Sequence, residues 1–293
     1  MHAQGLKLRG CGAVEKYLLK RMRRAPICAA LIDPEDFSPR QAADTAKKAI
    51  NAGAGVILVG GSTLSDQGKL DDVVIAIKNI TKDITTSLGA SRTPPVVLFP
   101  GNASGVSRFA DAILFSSLLN SANPYFIIGA QALGAMEVYK AGIESIPMGY
   151  LVFGNQSTTS FIGQVNSLPP SKPNLALIYA LAAKYLGMRT LYLEAGSGTS
   201  EPIPSETIRL VRKFYDGIII VGGGIISDEV ANRAAKAGAD IVVVGNLLQT
   251  PRFEKTLRQI VTAIKHKDSA HRTHPPLINP QMHKSEEPMV KRR

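Results

Sequence analysis

From Ile27 onward, short runs of Ile, Val and Leu alternate with longer segments whose apolar residues recur every three or four positions. The short runs are ICAALID (27–33), VILVGG (56–61), PVVLFPG (95–101), AILFSSLL (112–119), SIPMGYLVF (145–153), RTLYLEA (189–195), IIIVGGG (218–224) and IVVVGN (241–246). Most lack the apolar–polar alternation of a half-exposed strand, as strands covered on both faces should. The longer segments carry helix punctuation. In PRQAADTAKKAINAG, Pro39 opens a helix and Gly53 ends it. SDEVANRAAKAG repeats that grammar, with Ser227 as N-cap and Gly238 as the stop.

Eight parallel strands joined by helical crossovers predict an α/β fold, a single (β/α)8 TIM-type barrel over residues 27–267. An open doubly wound sheet is the competitor, because Asn102 to Asp111 is short for a full crossover helix. A leading helix, roughly Ala13 to Arg24, falls within a basic N-terminal extension (1–26) and is expected to plug the barrel bottom. Beyond Lys267 the periodicity stops, and the Pro-, His-, Lys- and Ser-rich segment 268–293 is expected to be a disordered tail.

Composition narrows the function. The chain has 293 residues, of which 45% are hydrophobic, enough for one large core. Its two cysteines, Cys11 and Cys28, do not suggest a disulfide framework, so a reducing, cytoplasmic setting is expected. No apolar run approaches the roughly 20 residues of a membrane span, and no signal peptide is visible. The net charge of +11 raises the question of a nucleic-acid partner. Its distribution argues against one: residues 1–26 carry +6, residues 265–293 carry +4, and the segment between carries only +1. Basic ends without a basic body leave contact with an anionic membrane surface open as a tethering role. A homo-oligomer is also expected.

Chemistry is expected where the strands end, since barrel enzymes place their sites at the carboxyl-terminal face. Glycine-rich turns follow the seventh and eighth strands (Gly222, Gly223, Gly224; Gly245 with Asn246). Main-chain N–H groups in such turns can close on a phosphate, although the same glycines also suit plain tight turns. The first strand ends at Asp33, held by Pro34, and the second runs into Ser62. Asp33 alone reads as a cap or loop hydrogen-bonding group; together with Ser62 it becomes a candidate Mg²⁺ ligand, since that ion takes one or two carboxylates and fills its shell with water and phosphate oxygens. In Tyr192-Leu193-Glu194-Ala195-Gly196-Ser197-Gly198, Tyr192 and Glu194 share a face of their strand and should both point into the barrel. Glu194 is a candidate base for, or hydrogen-bond partner of, a substrate hydroxyl, unless a basic neighbour pairs with it in the core. Gly196 to Gly198 would supply backbone donors. Four of the five histidines lie in the tail without zinc-site spacing, and no nucleophile elbow, Walker loop or dinucleotide fingerprint appears.

Taken together, DPED, VGGS, LFPGN, LLNSANPYFIIGAQ, YLEAGSG, VGGGI and VVGN resemble the geranylgeranylglyceryl phosphate synthase family, from about Ile27 to about Leu248. The resemblance implies a prenyltransferase that moves a geranylgeranyl group from geranylgeranyl diphosphate to the terminal hydroxyl of sn-glycerol 1-phosphate in ether-lipid synthesis. It also implies Mg²⁺ held at Asp33 and Ser62. Glycerol phosphate would be bound by Tyr192 to Gly198, Gly222 to Gly224, Gly245 and Asn246, with Glu194 and Tyr192 catalytic. An apolar groove for the prenyl chain would be lined by Phe115, Tyr125, Phe126 and Tyr139. One departure is Ile226, where many members carry a basic residue. Two alternatives stay open: a bacterial-type relative using a longer prenyl diphosphate, and a phosphosugar isomerase or lyase on the same barrel.

Overall fold

The computed structural model describes residues 11–265 except 64–65, 89–92, 155–156 and 200, with backbone only for 85–88. The predicted tail 268–293, and the four histidines His266, His271, His274 and His283, lie outside the described residues. The chain runs α1 (Ala13–Met22), β1 (Ile27–Ile32), α2 (Pro39–Ala52), β2 (Val56–Val59), α3 (Gln67–Leu88), β3 (Val96–Leu98) and β4 (Ala112–Leu118). It continues through α4 (Ala130–Ala141), β5 (Glu144–Val152), α5 (Thr158–Ile162), α6 (Pro173–Tyr185) and β6 (Thr190–Glu194). The last elements are α7 (Ser205–Phe214), β7 (Ile218–Gly222), α8 (Asp228–Ala237), β8 (Ile241–Val244) and α9 (Phe253–Ala263).

All neighbouring strands are parallel, and β1 pairs with β8 from Ile27↔Ile241 to Ala30↔Val244. That closure excludes the open sheet. The short third crossover is real: no helix joins β3 to β4, and the strands meet through turns.

Alternation along each strand sorts side chains into two cores. Ala29, Val56, Leu58, Val97, Leu114, Met148, Tyr192, Ile220 and Val243 fill the barrel. Their neighbours, among them Ala30, Ile57, Leu98, Ile113, Leu193, Val221 and Val242, face the helix layer. Alanines on the inner faces of the helices let them approach closely: Ala42, Ala46 and Ala49 on α2, Ala176, Ala180 and Ala183 on α6, Ala231, Ala234 and Ala237 on α8. Caps stop these helices as expected. Ser38 and Gln41 form a capping box before α2, Ser227 caps α8, and Gly53 and Gly238 take left-handed conformations at the helix ends.

The leading helix does plug the barrel bottom. Val14, Tyr17, Leu18 and Met22 pack against Ile27, Ala29 and Val56 of the inner core. Burying side chains of this size contributes about 1.5–3 kcal/mol each. Polar contacts then fix the helix. Glu144 accepts the N–H groups of Val14 (2.6 Å) and Glu15 (2.9 Å), and the Tyr17 hydroxyl donates to Gly55 O (3.0 Å). Glu15, 2% exposed, holds Arg189 through Nε (2.7 Å) and Nη2 (2.8 Å). The floor is sealed, so any chemistry is confined to the opposite face.

Candidate active site

At that opposite face the strand ends surround a cavity of about 430 Å³. Asp33, Ser62, Tyr192, Glu194, Ser197, Gly198, Gly223, Gly224, Gly245 and Asn246 all line it. Strand order puts two chemistries across from each other. The turns after β6, β7 and β8 are polar and glycine-rich, whereas Phe115, Val106, Val138 and Phe126, from the β3–α4 region, line an apolar portion on the other side.

Glu194 lies at the top of β6, in the cavity wall on the glycine-rich side. It is buried, and no ion pair reaches it among the described residues. The basic core neighbour that would make it structural is therefore not found there. Its Oε1 accepts the Gly196 N–H at 2.7 Å, and the Tyr192 hydroxyl also serves the carboxylate. Burial outweighs both and pushes the Glu194 pKa up to about 7. Beneath it, Tyr192 stacks on Phe99 (5.1 Å between centroids) and meets Tyr150 edge-on (5.2 Å). Tyr150 and Phe99 close the triangle at 5.4 Å. The three rings keep water from the underside of the carboxylate. Burial, then the Glu194 charge, holds both tyrosine hydroxyls well above the usual phenol range.

Four residues of the expected phosphate site do not line the cavity. Leu193 points into the helix layer because it alternates with Tyr192 and Glu194, and Ala195 packs against the same outer core. The Gly196 N–H is committed to Glu194 and is no free donor. Gly222 lies under the Tyr192 hydroxyl, with which any Cβ would collide, so its glycine serves packing. The cradle that remains consists of Ser197, Gly198, Gly223, Gly224, Gly245 and Asn246, with Ser197 Oγ and Asn246 Oδ1 3.3 Å apart. Gly223 (φ 79°) and Gly224 (φ 67°) are both left-handed, a backbone that side-chain-bearing residues rarely adopt. Ile226 borders this end, 57% exposed, and brings no charge to it.

The expected metal ligands share the cavity wall. Asp33 Oδ1 accepts the Glu35 N–H at 2.9 Å, and its other oxygen rests where Gly61 has no Cβ. Burial, with the nearby Asp36 and Glu35 charges, raises the Asp33 pKa against the pull of the Glu35 amide and the Lys69 charge. Glu35 pairs with Lys69 at 3.1 Å and Asp36 accepts from Gln249 at 2.6 Å, whereas Asp33 enters no ion pair among the described residues. A carboxylate and a hydroxyl are hard oxygen donors that suit Mg²⁺. No three His, Cys, Asp or Glu side chains converge among the described residues, so further ligands would have to be water and phosphate oxygens.

Of the four aromatics expected to line a groove, Phe115 and Phe126 do so. Tyr139 stands on the outer surface of α4, 82% exposed, and Tyr125 only packs edge-on against Phe126. Phe99, Tyr150 and Thr159 are site residues that the sequence did not single out. Tyr150 is the register partner of Tyr192, a relation visible only once β5 and β6 are aligned.

A TIM barrel whose mouth joins a glycine-rich cradle, a buried acid and an apolar trench has the layout of an enzyme that takes one polar and one apolar substrate. Residues 21–264 match the PcrB family. A geranylgeranylglyceryl phosphate synthase of Methanothermobacter thermautotrophicus is 49% identical over 85% of this chain and 97% of its own length. One from Pyrococcus horikoshii is 46% identical over 87% of this chain and 96% of its own. The crystal structure of (S)-3-O-geranylgeranylglyceryl phosphate synthase from Thermoplasma acidophilum, in complex with its substrate sn-glycerol-1-phosphate, superposes with a TM-score of 0.80. It is 37% identical and covers 87% of this chain and 99% of its own. The chain belongs to the PcrB family, in the group of the geranylgeranylglyceryl phosphate synthases.

Proposed function

We propose that this protein transfers a geranylgeranyl group from geranylgeranyl diphosphate to the terminal hydroxyl of sn-glycerol 1-phosphate. The single observation that carries the reading is Glu194, buried and without an ion-pair partner among the described residues, in one cavity with a glycine cradle and an apolar trench. The acceptor's phosphate is held by the N–H groups and polar side chains around Ser197, Gly198, Gly223, Gly224, Gly245 and Asn246. Its hydroxyl is presented to Glu194. As the new C–O bond forms at the allylic carbon, the carbon–oxygen bond to diphosphate breaks, the proton passes to Glu194 Oε, and diphosphate leaves with the bonding electrons. A base with a pKa near 7 suits that duty at neutral pH. Phe115, Val106 and Val138 receive the prenyl chain and exclude water from the reacting carbon. Mg²⁺, held by Asp33 and Ser62, would supply the charge that neutralises the departing diphosphate.

Two further parts of the reading concern surroundings. Exposed Leu133, Met136 and Tyr139 on α4, Ile178 and Tyr185 on α6 and Leu186 at its end support a homo-oligomer. No described helix is long and apolar enough to cross a membrane. An apolar donor and basic chain ends support peripheral contact with an anionic bilayer. The test is incubation with glycerol 1-phosphate and radiolabelled prenyl diphosphates of several lengths, with and without Mg²⁺. Label in an ether product, greatest with the geranylgeranyl donor and lost without Mg²⁺, is expected. No product with any donor overturns the reading, and preference for a longer donor moves it to the other branch.

A further inference from the structure

We propose that Thr159 is a positioning residue for this reaction: its hydroxyl, carried across the barrel mouth on α5, orients the Ser62 hydroxyl toward the cavity. The inference rests on the prenyl-transfer reading and adds to it a residue outside every motif singled out in the sequence. The five-residue α5 is too short to be stable by itself. Contacts to three strand ends hold it. Its first end leans on the loop after β6, where a Cβ on Gly196 would come within 2.8 Å of Ser157 Cβ. Ser157 and Ser160, both buried, cap each other there, each N–H donating to the other's Oγ at 3.1 Å. Its far end is tied to the segment after β4: Ser121 Oγ donates to Gly163 O (2.6 Å) and Ala122 N to Gln164 O (2.8 Å).

Between these anchors, Thr159 Oγ1 lies 3.0 Å from Ser62 Oγ, beyond the end of β2. A half-buried position on a short helix gains nothing structural from threonine, a poor helix former. The hydroxyl therefore has its use in its contacts, which are with Ser62 and with the Tyr150 hydroxyl. A free serine hydroxyl rotates among several orientations, and a fixed acceptor leaves its lone pairs turned to one side. Either hydroxyl can donate in this pair; in the proposed arrangement Ser62 donates and Thr159 accepts, which presents the Ser62 lone pairs to the diphosphate end of the cavity in one orientation. Partners of this kind behind a ligand typically change affinity or activity by about 10- to 100-fold when removed. Because the same helix rests on the Gly196 loop, the two substrate ends are held in a fixed relation by one element.

Thr159→Val removes the hydroxyl at nearly constant shape, and Thr159→Ser keeps it. Binding of magnesium pyrophosphate, followed by calorimetry in the absence of prenyl donor, should weaken about 10-fold or more in Thr159→Val. kcat should fall about 10- to 100-fold, while KM for glycerol phosphate stays within about twofold and the melting temperature is unchanged. Thr159→Ser should restore both binding and kcat. The proposal is overturned if Thr159→Val binds and turns over like the parent, or if Thr159→Ser is as impaired as Thr159→Val. If the parent protein transfers no prenyl group, the functional reading fails separately, and the calorimetric comparison still decides on Thr159.

Discussion

The two ends of the barrel treat buried charge in opposite ways. At the floor each buried acid has a partner: Glu15 holds Arg189 in two hydrogen bonds, Asp240 holds Arg212 at 2.9 Å and also accepts the Ile219 N–H at 2.9 Å. At the mouth Glu194 is equally hidden, yet its contacts are one amide and one phenol. Asp33 likewise makes an amide contact without an ion pair among the described residues. Burial raises the pKa of both mouth acids; for Asp33 it outweighs the nearby Lys69 charge, which pulls the other way. An arrangement that costs folding energy and has no structural beneficiary marks where function is stored. The floor acids tie elements together, Glu15 the plugging helix to Arg189 and Asp240 the start of β8 to α7 and β7; the mouth acids are left ready for substrate.

Substitutions that exchange these roles should separate cleanly. The largest effect is expected for Glu194→Gln, with prenyl transfer slowed by roughly 10²–10⁴-fold and glycerol phosphate binding weakened far less, measured by steady-state kinetics and direct binding. Glu15→Ala should do the reverse. Removing the carboxylate that holds Arg189 in two hydrogen bonds should cost about 3 kcal/mol of stability in urea unfolding, with kcat of the folded fraction unchanged. Gly61→Ala tests the Asp33 pocket, since the new methyl would strike the carboxylate. Activity should fall about 10-fold or more at limiting Mg²⁺, with a near-normal melting curve. The smallest effect is expected at Ser197→Asp, at the exposed rim of the cradle. Charge repulsion should raise KM for glycerol phosphate about 10-fold with little change in KM for the prenyl donor.

Much of this architecture was legible in the sequence, because buried parallel strands advertise themselves as uninterrupted Ile/Val/Leu runs. The same uniformity hid which side chains enter the barrel. Only polar residues such as Tyr192 and Glu194 betrayed the inward face, and those two were found. Strand ends were read too long, since apolar residues continue into glycine turns: IIIVGGG stops pairing at Gly222 and VILVGG at Val59. Glycine itself was ambiguous. Gly223 and Gly224 do line the cradle, but Gly222 is small to admit the Tyr192 hydroxyl, and Gly196 serves Glu194. Phe99, Tyr150 and Thr159 were invisible because their meeting depends on register across β3, β5 and β6 and on where the α5 connection folds back.

The most direct measurement follows Glu194 through its titration in two ways. In the folded, ligand-free protein its pKa rises from 4.5 to about 7, so between those values the folded state binds a proton that the unfolded chain has released. The stability from this group is complete below about pH 4.5 and is lost as pH rises through 7, a loss on the order of 3 kcal/mol. Urea unfolding of Glu194→Gln and of the parent at pH 5 and pH 8 should therefore show the variant gaining on the parent by a few kcal/mol at the higher pH. The parent's kcat/KM should rise with pH to a plateau above about 7, and the variant should lose that limb together with most of its rate. A Glu194→Gln protein that melts earlier than the parent at pH 8, yet transfers the prenyl group at the parental rate with the same pH profile, would contradict the assignment.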